Sequence, residues 1–357
     1  MNFDYNEEQQ LLADSVRRFL AKDYDFEARR KIVASAEGWS AKVWATLAEM
    51  GLTGLPFPAE HGGFGGGAVD LMGVMEAFGE ALVVEPYLPT LMAGRVVARS
   101  PLAGAVLPGV VEGKTRLAFA HTEKGARYDL GLVKTAATKA SDGWTLEGEK
   151  AAVIGAPMAD KLVVSAKTGT EIGLFLVDRP AVAAYQTLDE MRAADVVLHG
   201  TRAQKLEGGL GLIEEVTDFA TALVCAEAVG AMKFACDATL EYLKTRKQFG
   251  VPIGTFQALQ HRMVDMYIAQ EQARSMACLA CSKADQSQDV QERMRSVSAA
   301  KIKIADNARH VSQEAVQLHG GMGMSEELKI SHTFRRLTVL AALFGDADHH
   351  LARFAAL

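Results

Sequence analysis

The sequence has little of what would assign it to several common classes of protein. Its 357 residues include only four cysteines, so a disulfide-stapled secreted domain is not indicated. Cys278 and Cys281 have the spacing of two ligands on one helix face, but no second pair of cysteines or histidines is spaced to complete a tetrahedral metal site. We therefore expect buried structural cysteines and no metal.

Excess positive charge and long apolar runs are lacking too. The formal net charge is -6, which provides no basic surface for nucleic acid or for an anionic membrane. Gly, Pro or charged residues interrupt the apolar runs well before the roughly 18 to 20 residues of a membrane span. The acidic residues after Met1 do not resemble a signal peptide. The sequence predicts a soluble, cytoplasmic protein that binds no nucleic acid and has no membrane span.

What is present is the composition of an ordinary globular protein, with 49% hydrophobic and 23% charged residues. A chain of this length usually folds as two or three packed units. Helical periodicity at both ends and strand-like runs in the middle predict an α+β protein. We expect an N-terminal helical domain at 1-114, a middle antiparallel β-domain at 115-205 and a C-terminal four-helix bundle at 206-357.

Signals for helix starts and helix ends predict three helices in the first region. Apolar residues recur at helical spacing over about 6-22. Ser40 can cap a second helix that Gly51 ends, and Asp70 can cap a third helix over about 71-82. The glycine run at 62-67 follows no strand and lacks the Lys-Ser/Thr pair of a phosphate loop, so it is predicted to be a turning connection.

The middle and last regions differ in their sequence patterns, which are strand-like in the middle region and helical in the last. Short strand-like runs lie at 117-121, 132-139, 144-148, 161-165 and 173-177, and Asp142-Gly143 is a hairpin signal. Beyond Gly211 the helical pattern returns, with small residues such as Gly230 that would let helices approach closely. Long helical segments follow at 256-284, 290-319 and 326-342, and 285-289 is predicted to be an exposed loop.

The stretch from Arg246 to Gln257 joins two of these helices and concentrates a cation, aromatic residues, amides and glycines. The helix before it, running from about Asp218, is predicted to end near Gly250, and the next to begin near Thr255. Arg246 could interact with the helix dipole or bind an anion, and the spacing leaves both interpretations open.

Several segments together resemble the acyl-CoA dehydrogenase family. Arg246-Lys-Gln-Phe-Gly, followed by Pro-Ile and by Phe256-Gln257-x-x-Gln260, is similar to one family signature, and the segment from Gln317 to Gly323 is similar to its Gln-x-x-Gly-Gly-x-Gly segment. Thr122-Glu123 resembles the start of its flavin-contacting loop. The opening Asn6-Glu7-Glu8-Gln9, then 51-56 and 61-63, also follow the family's order. The resemblance covers the whole chain and implies FAD as cofactor and an acyl-CoA as substrate.

The carboxylate base that the resemblance would require is not found at its usual places. The family's Glu near the C-terminus corresponds to Phe344, which cannot accept a proton. Members that place the Glu on the earlier helix would have it where this chain has Ala220 and Thr221. Asp218, expected near a helix N-terminus, and Glu227, expected to be a paired buried acid, are the nearby carboxylates. We therefore assign no catalytic residue.

The resemblance also divides the cofactor-binding residues into two groups. On the flavin loop Thr122 is retained, but Tyr128 replaces the usual serine, and Ala152 and Ile154 replace the aromatic and threonine that border the flavin ring. The residues that reach a neighbouring subunit's FAD are retained: Arg246, Phe249, Gln257, Gln317, Gly320 and Gly321. Arginine can pair with a pyrophosphate, and glycine lets backbone approach a cofactor.

This pattern resembles the smaller, base-lacking subunits of heteromeric bacterial acyl-CoA dehydrogenases, such as those for dicarboxylyl-CoA thioesters (pimeloyl-CoA among them) or for steroid side-chain thioesters. It implies a Glu-bearing homologous partner in a heterotetramer and an electron-transfer flavoprotein as acceptor. An autonomous homo-oligomer with an unrecognised base and a non-catalytic scaffold of the same fold are the alternatives. Asp346, Asp348, His349 and His350 could suggest a metal, but adjacent helical residues diverge by about 100 degrees, so a solvated helix start is favoured.

Overall fold

The computed structural model describes residues 5-141, 143-179, 181-286 and 288-357, which contain eleven α-helices and nine β-strands. The chain divides into two compact units, each assembled from separate stretches of sequence. The helical unit comprises Met1–Arg29, Ala68–Val83 and Thr221–Leu357. The sheet-containing unit comprises Arg30–Gly67 and Val84–Ala220.

Six helices precede the sheet: α1 (Glu7–Asp23), α2 (Phe26–Ala34), α3 (Ala41–Glu49), α4 (Ala68–Ala81), α5 (Tyr87–Ala98) and α6 (Ala103–Val111). The predictions for α1 and α3 are confirmed. Asn6 and Gln9 form a reciprocal capping box at the start of α1. The Ser40 hydroxyl accepts a hydrogen bond from the Val43 N–H, and α3 gives way to Gly51 at a φ of 79°. Helices α2, α5 and α6 were not predicted.

The cap of α4 differs from the prediction. The helix begins at Ala68, so Asp70 lies inside its first turn and accepts a hydrogen bond from the Gln9 side chain instead. The capping carboxylate is that of Asp285, which accepts from the N–H groups of Ala68 at 2.7 Å and Val69 at 2.9 Å. The free N–H groups of this helix are thus satisfied by a residue distant in sequence. The predicted loop at 285-289 therefore starts two residues later than expected, because Asp285 and Gln286 still belong to the helix Gln257–Gln286, and Ser287 lies outside the described residues.

The glycine run at 62-67 forms the predicted turning connection. Gly62 and Gly65 have φ angles of 86° and 69°, a conformation that glycine adopts without strain. At Gly63 a Cβ atom would lie 2.1 Å from the Phe57 carbonyl oxygen. The run folds tightly against its own preceding residues, and its backbone hydrogen bonds go to them.

A seven-stranded sheet forms the centre of the second unit. Its strands are β1 (Leu117–Ala120), β2 (Ala136–Ala140), β3 (Gly143–Ile154), β4 (Lys161–Thr168), β5 (Glu171–Asp178), β6 (Val182–Gln186) and β7 (Arg192–Leu206). The strands β2, β3, β7, β5 and β4 pair in a closed ring, with β1 beside β4 and β6 beside β7. Side chains such as Leu146, Phe175 and Val196 fill its apolar core.

The sequence analysis predicted an antiparallel domain, and the sheet is mainly antiparallel with two parallel pairs. Most pairs are antiparallel, including β2 with β3, where Ala140 faces Gly143. However, β1 and β2 both run parallel to β4. The long connection between β1 and β2 returns the chain to the end at which β1 began, and strand-like runs alone do not reveal that direction. Asp142 of the predicted hairpin turn lies outside the described residues, and β6 and β7 were not predicted.

The C-terminal helices are α7 (Leu210–Thr245), α8 (Gln257–Gln286), α9 (Val290–His319), α10 (Lys329–Ala342) and α11 (Ala347–Ala355). The long helices predicted at 256-284, 290-319 and 326-342 are confirmed. Helix α7 is apolar and long enough to span a membrane, but 89% of its most apolar window is buried inside the protein. A Cβ atom at Gly230 would lie 1.9 Å from the Glu76 carbonyl oxygen, so this glycine does permit α4 and α7 to touch.

Candidate functional site

The stretch after α7 is a tight hairpin, not the helix end near Gly250 that was predicted. Helix α7 ends at Thr245, and β8 (Lys247–Gln248) pairs with β9 (Val251–Pro252). The turn residues Phe249 and Gly250 have φ angles of 53° and 82°. Positive φ at both positions is the type I′ geometry of two-residue hairpins. A 3₁₀ turn, Ile253–Thr255, then leads into α8, which starts at Gln257.

Phe249 is 91% exposed and makes its ring contact with Phe256, edge to face at 6.1 Å. A large aromatic residue at positive φ is strained as well as exposed, and such strain persists at sites where another requirement maintains it. In the part of the chain that the structure describes, the guanidinium of Arg246 has no hydrogen-bond or ion-pair partner. The hairpin therefore presents an unpaired cation and an uncovered ring to solvent.

The second retained segment lies where α9 ends. Gln317, Gly320 and Gly321 are exposed, and a Cβ atom at either glycine would meet open space. Gly320 adopts a φ of 61°, and Gly323 packs so closely that a Cβ atom there would lie 2.4 Å from the Val316 carbonyl oxygen. Open glycines on one side and a tightly packed glycine on the other leave an accessible strip of backbone at the helix end. The strip and the hairpin belong to the same unit.

Thr122, the retained residue of the predicted flavin loop, is exposed and lies two residues after the end of β1 in the other unit. Both of its neighbours are bound to one buried ammonium group. Lys150 Nζ donates to the His121 carbonyl at 3.1 Å and to Glu123 Oε1 at 2.8 Å, and a third bond goes to Ser165 Oγ at 3.0 Å. Lys150 therefore holds the backbone carbonyl of the residue before Thr122 and the side-chain carboxylate of the residue after it.

Further bonds complete the network around Glu123. Its carboxylate accepts from the Thr135 N–H and hydroxyl at 3.0 and 2.7 Å and from the Lys134 N–H at 2.7 Å. Burial opposes ionisation of Glu123, but the bonds from Lys150 and Thr135 outweigh it and lower its pKa to about 2. Burial lowers the pKa of Lys150 to about 8. Burial and the Lys150 charge lower the pKa of His121 to about 4. At neutral pH an ion pair thus lies beside a neutral imidazole.

The residues expected beside a flavin ring do not offer its usual contacts. Ala152 is exposed at a φ of 53°, and its N–H donates to Asp195 at 3.1 Å. Ile154 and Tyr128 are half-buried. Alanine and isoleucine bring neither the aromatic surface nor the hydroxyl that the resemblance would place there. The residues on either side of Thr122 are thus held by hydrogen bonds, while the side chains at the positions that the resemblance assigns to the flavin ring differ from the expected ones.

Phe344 lies in the connection between α10 and α11, where the resemblance would place the base. It is half-buried at a φ of 61°. Its carbonyl accepts from His350 Nε2 at 3.2 Å, and so the other ring nitrogen, Nδ1, can accept from the Ser298 hydroxyl at 3.3 Å. Burial and the Lys301 charge lower the pKa of His350 to about 3, which keeps the ring neutral. The connection is held through its backbone, and no carboxylate stands at its centre.

The helix start after this connection is partly as predicted. Asp346 caps α11 by accepting from the His349 N–H at 2.9 Å, and Asp348 is exposed in the first turn. His350, in contrast, is buried, so the expectation of a fully solvated helix start was wrong for that residue. Its two ring nitrogens are occupied by Ser298 and Phe344, which leaves neither of them for a metal ion.

The alternative base positions on α7 are buried and hold Ala220 and Thr221. Asp218 was expected near a helix N-terminus, but α7 begins at Leu210, and Asp218 lies buried in the helix interior. The prediction for Glu227 is confirmed. It is buried, and its Oε1 atom lies 2.6 Å from Arg336 Nη2 and accepts from Arg336 Nε at 2.7 Å.

The sequence analysis missed Lys150 altogether, and it missed the burial of His350. A lysine between two strand-like runs carries no local signal of burial. Its only sequence clue is that it precedes Ala152 and Ile154, the altered positions. For His350 the sequence places two histidines side by side and does not distinguish an exposed ring from an internal one. In the structure the two rings contact each other edge to face at 5.2 Å.

Comparisons with known proteins agree on one family. The chain matches the N-terminal, middle and C-terminal domains of acyl-CoA dehydrogenases at residues 6–100, 118–199 and 207–356. It is 29% identical to a 3-(aryl)acrylate reductase of Clostridium sporogenes, over 93% of this chain and 94% of the relative. It is also 29% identical to the acyl-CoA dehydrogenase IpdE2 of Mycolicibacterium smegmatis, over 98% of this chain and 99% of the relative. Reductases and dehydrogenases thus both occur among its relatives.

Solved structures share the whole fold. The Tcur3481-Tcur3483 steroid ACAD G363A variant has a TM-score of 0.90 at 30% identity, and the match covers 98% of this chain and 97% of that chain. The ChsE4-ChsE5 complex from Mycobacterium tuberculosis has a TM-score of 0.91 at 25% identity, covering 100% and 98%. PigA with FAD and proline has a TM-score of 0.90 at 26% identity, covering 100% and 98%. These findings confirm the fold and confirm FAD as the cofactor of the group, and the chain belongs to the acyl-CoA dehydrogenase family of flavoproteins.

Proposed function

We propose that this chain is the base-lacking subunit of a heteromeric acyl-CoA dehydrogenase and that it completes a FAD site carried mainly by a homologous, Glu-bearing partner. The observation that carries the proposal is Phe344. It occupies the centre of the connection where a carboxylate is needed, and Ala220 and Thr221 occupy the alternative place. A phenyl ring, a methyl group and a neutral hydroxyl cannot accept a proton from carbon at neutral pH.

The nearby carboxylates do not replace the missing base. Glu227 is buried and engaged by Arg336, with Oε1 2.6 Å from Nη2, so its carboxylate is already occupied by an internal cation. Asp218 is buried inside α7. Neither of these carboxylates on α7 is thus placed as a free proton acceptor, which supports the assignment of proton abstraction to a partner.

The residues offered to the partner are exposed and chemically suited to a dinucleotide. The Arg246 guanidinium can form charge-assisted hydrogen bonds with a diphosphate. Phe249 can pack against the adenosine end, and the open backbone at Gly320 and Gly321 allows close approach. Gln257 and Gln317 supply amide groups beside the same surface. In this assignment bound FAD supplies the hydride acceptor for oxidation of the carbon β to the thioester.

The relatives supply context for the partner and for the substrate. Two similar solved structures are described as pairs of chains, Tcur3481-Tcur3483 and ChsE4-ChsE5. We infer a heterotetramer that acts on an acyl-CoA in the cytoplasm and passes electrons to an electron-transfer flavoprotein. A second candidate function is reduction of an α,β-unsaturated acyl group. It is favoured by the 29% identity to a 3-(aryl)acrylate reductase.

The test is to purify the chain alone and together with the Glu-bearing homologue that co-purifies with it from its host. Visible flavin absorbance and acyl-CoA-dependent dye reduction are measured for both samples. We expect the isolated chain to be colourless and inactive, and the assembled complex to be yellow and active. Stoichiometric FAD and robust turnover in the isolated chain, after trace partner has been removed, would establish the autonomous enzyme instead.

A further inference from the structure

Tyr242 and His319 stack face to face within the helical unit. Their ring centroids are 4.4 Å apart and their planes are inclined by 27°. Tyr242 lies in the last turn of α7, four residues before Arg246, and His319 is the last residue of α9, between Gln317 and Gly320. The stack therefore joins the helix end that precedes the hairpin to the helix end that carries the glycine strip.

The imidazole is fixed in one orientation. His319 Nδ1 lies 2.8 Å from the Ala315 carbonyl oxygen, to which it can only donate, so Nε2 is the unprotonated nitrogen. Burial lowers the pKa of His319, which favours the neutral ring. A buried ring held by its own helix gives Tyr242 a rigid surface to pack against.

The position of Tyr242 is transmitted to the hairpin through the backbone. The Arg246 N–H donates to the Tyr242 carbonyl at 2.8 Å, and the Ile253 N–H donates to the Arg246 carbonyl at 2.8 Å. Gly254 packs back on the same helix end, where a Cβ atom would lie 2.9 Å from the Leu243 carbonyl oxygen. Both strands of the hairpin are thus attached to the turn of α7 that carries Tyr242.

A second contact near these two helix ends, between α8 and α9, is weaker. Arg262 of α8 pairs with Glu314 of α9 at 2.5 Å, but the two side chains are 38% and 22% exposed. Partly exposed ion pairs are screened by solvent and contribute little. An aromatic stack on a buried ring adds a directional contact to the area it buries.

We infer that Tyr242 and His319 are positioning residues that hold the hairpin and the glycine strip as one surface for the partner-bound cofactor. The inference rests on the proposed function for what the surface binds. The coupling itself is a property of the isolated chain. If either ring is removed, the two segments should loosen together, since each keeps its own backbone bonds but loses its fixed separation from the other.

Hydrogen-deuterium exchange of the full chain, without FAD or partner, tests the coupling. Tyr242→Leu is the main variant because Tyr242 is half-buried and a leucine can occupy its place. We expect exchange to become roughly 2-fold to 10-fold faster in both 246-257 and 317-324, the range that corresponds to the loss of one aromatic stack. Tyr242→Phe keeps the ring and should exchange like the parent.

His319→Leu is the second variant, and the double variant should exchange no faster than either single one, because both changes remove the same contact. Tyr242→Leu with acceleration confined to 246-257, or with no acceleration, would overturn the inference. The result is independent of FAD binding. If the coupling is found but Arg246→Ala leaves FAD retention in the assembled complex unchanged, the proposed function fails and the coupling stands.

Discussion

Glu227 and Arg336 form an ion pair inside the helical unit, with an Oε1 to Nη2 distance of 2.6 Å and with both side chains less than a tenth exposed. The pair joins α7 to α10. Removal of one partner leaves a charge in a buried site, which usually costs about 3 to 5 kcal/mol. Each of the two charges therefore depends on the other, and the pairing removes the most obvious buried acid on α7 from the list of catalytic candidates.

The first prediction concerns this pair. Glu227→Gln should lower the free energy of unfolding by about 3 kcal/mol or more, as measured by urea denaturation. Glu227→Leu combined with Arg336→Met should recover much of that loss, because neither charge is then left buried alone. A catalytic Glu227 would instead show a large loss of turnover in the assembled complex with little change in stability.

The second prediction concerns the exposed cation of the hairpin. Arg246→Ala should weaken FAD binding to the assembled complex by about 2 kcal/mol or more, since a charge-assisted phosphate contact is lost. Lys247→Ala is the matched control, because Lys247 is also an exposed cation, adjacent in sequence and outside the retained set. Cofactor dissociation, followed by flavin fluorescence, measures both variants. Equal FAD retention in the parent and in Arg246→Ala would contradict the assignment.

The third prediction is a pH dependence carried by His350. Its pKa falls to about 3 in the folded protein, first because of burial and then because of Lys301, with smaller contributions from His349 and Arg353. In the unfolded chain a histidine titrates near its ordinary pKa of about 6.5. As the pH falls, the unfolded chain binds this proton first. The contribution of His350 to the free energy of unfolding is therefore fully present above about pH 6.5 and is lost as the pH falls towards 3.

Between pH 7 and pH 5 this residue alone should lower the free energy of unfolding by about 2 kcal/mol. His350→Gln can still donate to the Phe344 carbonyl but does not titrate, so its urea midpoint should change less over that interval. His310→Gln, at an exposed position on α9, is the control and should follow the parent. If the urea midpoint of His350→Gln fell between pH 7 and pH 5 as much as that of the parent, groups other than His350 would be responsible for the pH dependence.

Local signals predicted the elements that are stabilised by their own residues. Asn6 and Ser40 cap their helices from an adjacent position, and Gly230 lies at a close helix contact, as its spacing indicated. The start of α4 was missed because its cap, Asp285, lies more than two hundred residues away in sequence. No propensity or spacing rule reports a cap contributed over that distance.

The candidate site also contains features that the local sequence predicts and features that depend on the folded structure. The motif residues Arg246 and Gln317 were recognisable from the sequence, but the hairpin between Thr245 and Gln257 was predicted as a helix end, because Gly250 and Pro252 are also typical of helix termini. The positive φ of Phe249 decides between the two, and a phenylalanine gives no hint of it. Lys150 was missed because a buried charge depends on partners that only the folded sheet brings together.

The last prediction is that Phe344→Glu alone should not create an efficient enzyme. A general base contributes roughly 100-fold to 10,000-fold, but only for a substrate that is already positioned. The residues expected beside the flavin ring are also different in this chain, namely Tyr128, Ala152 and Ile154. One added carboxylate does not restore the positioning of the substrate that a base requires. The new carboxylate would moreover be partly buried at a position with a φ of 61°, where desolvation raises the pKa of an acid.

The measurement is FAD content and single-turnover flavin bleaching by an acyl-CoA, made on Phe344→Glu without any partner chain. Phe344→Gln is the matched control, since it has the same size without the charge and separates proton abstraction from changes in packing. We expect both variants to contain little FAD and to show no fast bleaching. Stoichiometric FAD with fast bleaching in the Glu variant alone would mean that the chain's own pocket is intact and that Phe344 is the single change that silences it. Little FAD in both variants, with normal folding by circular dichroism, would place the defect in cofactor binding, as the altered residues beside the ring predict.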